Sequence, residues 1–337
     1  MHPTLIIDLA GLVLTPAEIA LIQHPGIAGI LLFGRNIQNR TQLQHLTASI
    51  HALRPDVFIA IDHEGGFIQR IQRMGFRALP SARVLGEVYD LNPHVAITLA
   101  EQYGQIMARD LMACGIGVSF APVLDLHDLQ SPVIGQLDRA FHHDPDAIIA
   151  LASATVRGMH KAGMCAIGKH FPGHGSCFED SHVAIPVNHK SLDELRESDL
   201  KPFQALIKAG LLDGIMPAHV IYTQIDPDFA AGFSPLWLQE QLREKLAFNG
   251  LVISDCLGMK GADIGDLNQR ANQALLAGCE LLIVSHHSPA DILNLLNHLP
   301  EPSTELQARL HAFQAKMAPI RVTPHESSDF AVEPDTR

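Results

Sequence analysis

Eight short apolar runs, each bounded by Gly, Pro or polar residues, recur along the chain, and the stretches between them are long enough to hold helices. They are Leu5 to Asp8, Gly29 to Phe33, Val57 to Asp62, Gly117 to Ala121, Met164 to Lys169, Gly214 to Pro217, Leu251 to Asp255 and Leu281 to Ser285. The runs are apolar at nearly every position instead of alternating, as parallel strands covered on both faces must be. Strand and helix in regular succession predict an α/β chain folded as a (β/α)8 TIM-type barrel. Between the runs, Thr15-Pro16-Ala17-Glu18 and Ser191-Leu192-Asp193-Glu194 read as helix-capping boxes, and a last helix is expected from Ser303 to Met317. A length of 337 residues would by itself suggest two domains, but no linker, repeat or low-complexity segment divides the chain. The expectation is therefore a single barrel domain over residues 1–320, followed by a polar tail, 321–337, expected to be mobile.

Composition removes several classes of function. With 24 Lys+Arg against 36 Asp+Glu the net charge is −12, and no basic cluster is present, so neither nucleic acid nor an anionic membrane surface is an expected partner. The stretch Met1 to Asp8 lacks the basic start and long apolar run of a signal peptide, so a cytoplasmic location is expected. Five scattered cysteines without a C-x-x-C pair suit reduced thiols. The 20 histidines invite a metal or acid–base reading, while 5% aromatics argue against a long stacking groove.

In a barrel of this type chemistry collects at the C-terminal ends of the strands. Five runs end in charged or His residues: Asp62-His63-Glu64, Pro122 to Asp125, Lys169-His170 with Pro172-Gly173-His174-Gly175, Pro217-Ala218-His219, and Ser254-Asp255. Taken singly, each has a plainer explanation. An Asp after a strand is commonly a cap or turn former, and a lone His is commonly a hydrogen-bonded packing residue. Their convergence on the same strand ends is better explained by a shared pocket. Gly173 and Gly175 suggest a turn whose backbone approaches a ligand closely. Farther along, Asp180 precedes His182 by two positions, and such a carboxylate can accept an imidazole N–H, fix the tautomer and raise basicity.

The strings Ile61 to Arg70, Gly168 to Gly175 with Asp180-Ser181-His182, Met216 to Tyr222, and Ile253-Ser254-Asp255 through Met259-Lys260-Gly261-Ala262 resemble the family 3 glycoside hydrolases. More narrowly they resemble the bacterial single-domain β-N-acetylhexosaminidases of peptidoglycan recycling, over roughly residues 5 to 290. The resemblance implies a retaining exo-β-N-acetylglucosaminidase that removes terminal N-acetylglucosamine from peptidoglycan fragments through a covalent glycosyl-enzyme. In it Asp255 is the nucleophile, and His182, oriented by Asp180, serves as general acid and then base. Asp62, Arg70, Arg139, Lys169 and His170 match positions that bind the sugar. No metal or cofactor is implied, and the expected partner is a small soluble muropeptide or disaccharide, the substrate of an enzyme expected to be a monomer. A donor on a loop can move, so the segment from Pro172 to His182 is expected to close over bound sugar.

The chain departs from many relatives at three positions. Cys256 stands where a second Asp is common, Gly258 where Ser is common, and Phe67 where Arg is frequent. Loss of a like charge beside Asp255 eases its ionisation. Cys256 also places a thiol near the pocket, where alkylation would be felt, and Phe67 leaves the finer substrate preference open. Two alternatives stand beside the main reading. An N-acetylglucosaminide phosphorylase of the same fold would use phosphate in place of water, because an imidazole donor does not repel the dianion. A metal-dependent barrel hydrolase could use His63, His170, His174, His182 and His219, but the H-x-H spacing of such sites is absent.

Overall fold

The computed structural model describes residues 4–71, 76–177, 185–300 and 304–317. Each of the eight apolar runs overlaps a strand of one parallel sheet: β1 (Leu5–Asp8), β2 (Ile27–Leu32), β3 (Phe58–Ile61), β4 (Val118–Ser119), β5 (Cys165–Phe171), β6 (Gly214–Pro217), β7 (Leu251–Val252) and β8 (Leu282–Val284); β2 begins two residues before its run and β5 extends two residues beyond its run. Their order in the sheet is β7-β6-β5-β4-β3-β2-β1-β8. The sheet curls until its two edge strands approach. There Ile253 and Leu281 form a parallel bridge, and the Ser254 N–H donates to the Leu281 carbonyl at 2.8 Å.

Alternate residues of each strand enter two different cores, which is why the runs show no polar alternation. Leu5, Ile7, Ile30, Leu32, Ile59 and Ile61 pack outward under the helices, whereas Ile6, Leu31, Phe58, Ala60, Ile167 and Ile283 point inward to a second cluster. The expected caps are present: Thr15 and Ser191 each close a capping box, on the helices Pro16–Gln23 and Leu192–Glu197. No described helix is long and apolar enough to cross a membrane.

The last helix, Thr304–Lys316, has a specific place. Leu306, Leu310 and Phe313 join the inner core, and the Phe313 ring meets Phe58 edge-on at 5.9 Å. Its polar side chains reach residues at or before the start of strands: Gln314 donates to the Asp56 carbonyl, Lys316 pairs with Asp213, and Arg309 with Glu280. The helix thus covers the N-terminal end of the sheet. The final residues 318–337, including the expected tail, lie outside the described residues.

Phe313→Ala removes a ring that is 3% exposed from this cover. The expected loss is about 3 to 4 kcal/mol of unfolding free energy in urea, with the m-value unchanged; a loss under about 0.5 kcal/mol would show that the helix does not brace the inner core.

Candidate active site

A cavity of about 360 Å³ opens at the C-terminal ends of the strands. Its lining includes Asp62, Arg70, Arg139, Lys169, His170 and Asp255, so the sequence-derived site residues that the structure describes share one cavity. Asp180 and His182 lie outside the described residues, as does much of the segment expected to close.

The cavity wall is organised by a buried cluster of charges. The Lys169 ammonium, 2% exposed, donates to Asp62 Oδ1 at 3.0 Å and lies 2.7 Å from Glu64 Oε1. Arg139 holds the same Glu64 in a fork, Nε to Oε2 at 2.9 Å and Nη2 to Oε1 at 2.8 Å, and its Nη1 donates to the Val133 carbonyl. Arg70 completes the cluster 3.6 Å from Asp62 Oδ2. Burial alone would raise the Glu64 carboxyl, but the charges and hydrogen bonds of Arg139 and Lys169 hold it far below the ordinary carboxylate range. Burial likewise works against Lys169, and Asp62 and Glu64 outweigh it, so its pKa lies above normal. Both cations stay charged at the cavity edge.

His170 is fixed by a second buried carboxylate. Asp125, fully buried, accepts from His170 Nδ1 at 2.7 Å, from the His170 backbone N–H at 3.1 Å and from the His174 backbone N–H at 2.7 Å. The carboxylate requires Nδ1 to carry a proton, which leaves Nε2 as the nitrogen free of this contact. Burial would raise the Asp125 carboxyl; the neighbouring His170 and His174 contacts overcome this and place it below normal.

Asp255 lies just past β7. Its Oδ1 accepts the Cys256 N–H at 2.7 Å, and His219 Nε2 donates to the Cys256 carbonyl at 3.3 Å while its ring stacks on Phe233 at 5.2 Å. These contacts orient the peptide beside the carboxylate. Burial would raise the Asp255 pKa, but His219, His170, the Cys256 N–H and Lys169 together bring it below normal. No salt bridge to Asp255 occurs among the described residues, in contrast to Asp62 and Glu64.

Three expectations need correction or addition. Gly173 and Gly175 do not open space for a ligand: a Cβ at Gly173 would lie 2.6 Å from the Asp199 side chain, and one at Gly175 would lie 2.0 Å from the Leu126 carbonyl. The glycines let the turn pack against protein. Phe67 is 70% exposed and does not line the cavity. Cys256 does line it, with Sγ 2.8 Å from Ser285 Oγ, yet burial raises its pKa and suppresses the reactive thiolate. Glu64 and Asp125 stood within the quoted motifs without a role. Their partners lie 75 and 45 positions away, and the only sequence signal was a carboxylate at a strand end.

Residues 10–316 match the family described as Glycosyl hydrolase family 3 N terminal domain. The beta-hexosaminidase of Methylobacillus flagellatus is 45% identical over 331 residues, 97% of this chain and 93% of that protein. That of Pseudomonas aeruginosa is 49% identical over 285 residues, 84% of this chain and 82% of that one. Among solved structures, NagZ from Neisseria gonorrhoeae in complex with N-trifluoroacetyl-D-glucosamine aligns with a TM-score of 0.87 at 40% identity, covering 94% of this chain and 91% of that chain.

Two outcomes follow from the geometry. Glu64→Gln leaves Arg139 and Lys169 without their shared anion and should cost about 3 kcal/mol of stability at pH 7. Because the folded pKa of Glu64 is depressed, its contribution is complete above the ordinary 4.5 and fades as pH falls below it; the stabilities of the wild type and of the Glu64→Gln variant should therefore converge in acid. A constant difference from pH 7 to pH 3 would contradict the charge cluster. Iodoacetamide should modify Cys256 slowly at pH 7 and faster above pH 9, with activity lost in step; rapid labelling at pH 7 would mean the thiol is not suppressed.

Proposed function

The chain belongs to glycosyl hydrolase family 3, and on that footing we propose that it is a retaining exo-β-N-acetylglucosaminidase with Asp255 as nucleophile. The observation that carries the assignment is the contrast among the carboxylates at and beside the cavity. Asp62 and Glu64 are occupied by Lys169, Arg139 and Arg70, whereas Asp255 is held ionised by diffuse positive surroundings and one backbone N–H. An anion kept charged and left without a cation in contact is suited to attack a carbon that is gaining positive charge.

In the first step an Asp255 oxygen bonds the anomeric carbon as the glycosidic C–O bond breaks, and the departing oxygen takes a proton. Glu64 and Asp255, both held ionised, are poor donors for that proton. We assign it to His182, oriented by Asp180. In the second step water attacks the same carbon, His182 takes the water proton, and Asp255 leaves as carboxylate with the anomeric configuration retained. Asp62, Arg70, Arg139, Lys169 and His170 would bind the hydroxyls of the terminal sugar. Their fixed geometry supports tight orientation of that ring during attack.

The cavity volume of about 360 Å³ lies at the small end of ligand sites and suits a terminal sugar better than a polymer, in keeping with exo action. The likeness to NagZ from Neisseria gonorrhoeae with its bound N-acylglucosamine supports an N-acetylglucosamine subsite. The substrate we favour is N-acetylglucosamine linked to 1,6-anhydro-N-acetylmuramic acid, with or without peptide, released during peptidoglycan recycling. The bridge between Ile253 and Leu281 supports a sheet closed as a (β/α)8 barrel around this cavity.

On an aryl N-acetyl-β-glucosaminide, Asp255→Ala should lower turnover by about 10⁴-fold, and a variant that keeps a tenth of wild-type turnover would exclude Asp255 as nucleophile. Since the Asp255 pKa is depressed, the wild-type acid limb of kcat/KM from this group should fall below pH 3.8, with activity lost as pH drops through it. His182→Ala should be least harmful for acidic leaving groups. Product analysis in millimolar phosphate should give free sugar; sugar 1-phosphate would make the enzyme a phosphorylase.

A further inference from the structure

One polar side chain on the cavity wall has no part in the mechanism above. His174 is 3% exposed and lines the cavity, yet neither ring nitrogen has a hydrogen-bond partner among the described residues. Its ring meets His170 edge-on, with centroids 5.9 Å apart and planes at 70°. Burial, reinforced by neighbouring His170 and Arg139, outweighs the attraction of Asp125 and lowers its pKa to about 4. At neutral pH the ring is therefore uncharged and offers one N–H donor and one nitrogen acceptor.

The backbone that carries this ring is tied on both sides. The Gly173 carbonyl accepts from the Tyr222 hydroxyl at 2.7 Å, the His174 N–H donates to Asp125 at 2.7 Å, and Gly175 is pressed against the Leu126 carbonyl. His219, a buried imidazole beside Asp255, bonds the Cys256 carbonyl and stacks on Phe233. His174 thus combines a fixed position with an unspent donor and acceptor. Buried polar groups without partners are costly and rare, and one that faces a cavity points to a ligand that completes it.

We infer that His174 is a further substrate-binding residue, one that hydrogen-bonds an uncharged hydroxyl or acetamido group of the terminal sugar. The inference rests on the glycosidase reading and adds to it a contact that the charge cluster cannot make. Lys169, Arg139 and Arg70 offer donors only, whereas a neutral imidazole can both donate to and accept from one sugar substituent. An uncharged ring also suits its place, since protonation there would set a further positive charge near Arg139.

The test compares wild type, His174→Phe and His174→Gln on a panel of aryl β-glycosides: the N-acetylglucosaminide, N-acetylgalactosaminide and glucoside. On the best substrate, His174→Phe should lose about 100-fold in kcat/KM, and Gln, which restores a donor and an acceptor, should recover part of that loss. The Tm of His174→Phe at pH 7 should stay level or rise, because an unpaired polar group has been removed from the interior. With deoxy analogues, loss of the contacted sugar group should cost the wild type as much as the Phe change does and cost His174→Phe nothing further. Wild-type kcat/KM in His174→Phe, or a loss that comes with a falling Tm and no rescue by Gln, would overturn the assignment. If the wild type prefers a glycoside other than the N-acetylglucosaminide, the substrate proposed above falls, and His174 is judged on the preferred one.

Discussion

Both faces of the sheet are buried, and that constraint governs where charge can sit in this protein. A strand flanked by helices on one side and a packed interior on the other can carry polar side chains only where it emerges, and the N-terminal mouth is occupied by Leu306, Leu310 and Phe313. At that mouth Asp213 and Glu280 are paired with Lys316 and Arg309, whereas the charges of the cavity gather at the C-terminal ends. Asp62, Asp125, His219 and Asp255 all lie just past a strand, and Lys169 with His170 falls in the last three residues of β5. The site is thus a consequence of how the core is packed.

Concentrating charge at one end of the curled sheet carries a desolvation cost, which the site meets by pairing. Glu64 is held by Arg139 and Lys169, Lys169 also by Asp62, and His170 by Asp125. Each pairing has two effects. It keeps a buried charge in its ionised form, and it stops a long side chain from sampling rotamers, so that the groups facing the cavity are already in place. Glu64 works in this way through its neighbours, since Arg139 and Lys169 both face the cavity.

Asp255 and His174 depart from this pairing. The first keeps a carboxylate without a contacting cation, and the second keeps a buried imidazole without a hydrogen-bond partner among the described residues, both on the cavity wall. His63 shows that burial alone also suppresses protonation, with its pKa lowered to about 4, but it does not line the cavity. Incomplete satisfaction at a pocket is where a fold gives up stability for binding.

The apolar runs, their spacing and the caps at Thr15 and Ser191 were readable from the chain because they express local physics: strand burial, helix periodicity and capping have short sequence periods. The motifs around Asp62, Lys169 and Asp255 were readable for a similar reason, being contiguous strings that resemble a known family. What the sequence could not reveal were the partners. The Arg139 fork on Glu64 spans 75 positions and the Lys169 contact with Asp62 spans 107. Such pairs form only when the curled sheet brings the ends of β3 and β5 around one cavity. The same holds for the glycines at 173 and 175, which looked like room for a ligand and are instead packed against Asp199 and Leu126. By itself, then, the sequence determined the order of elements and the chemical types at the strand ends. Tertiary packing decided which of those groups are neutralised, which stay free, and which way they face, because those properties depend on distances between residues far apart in the chain.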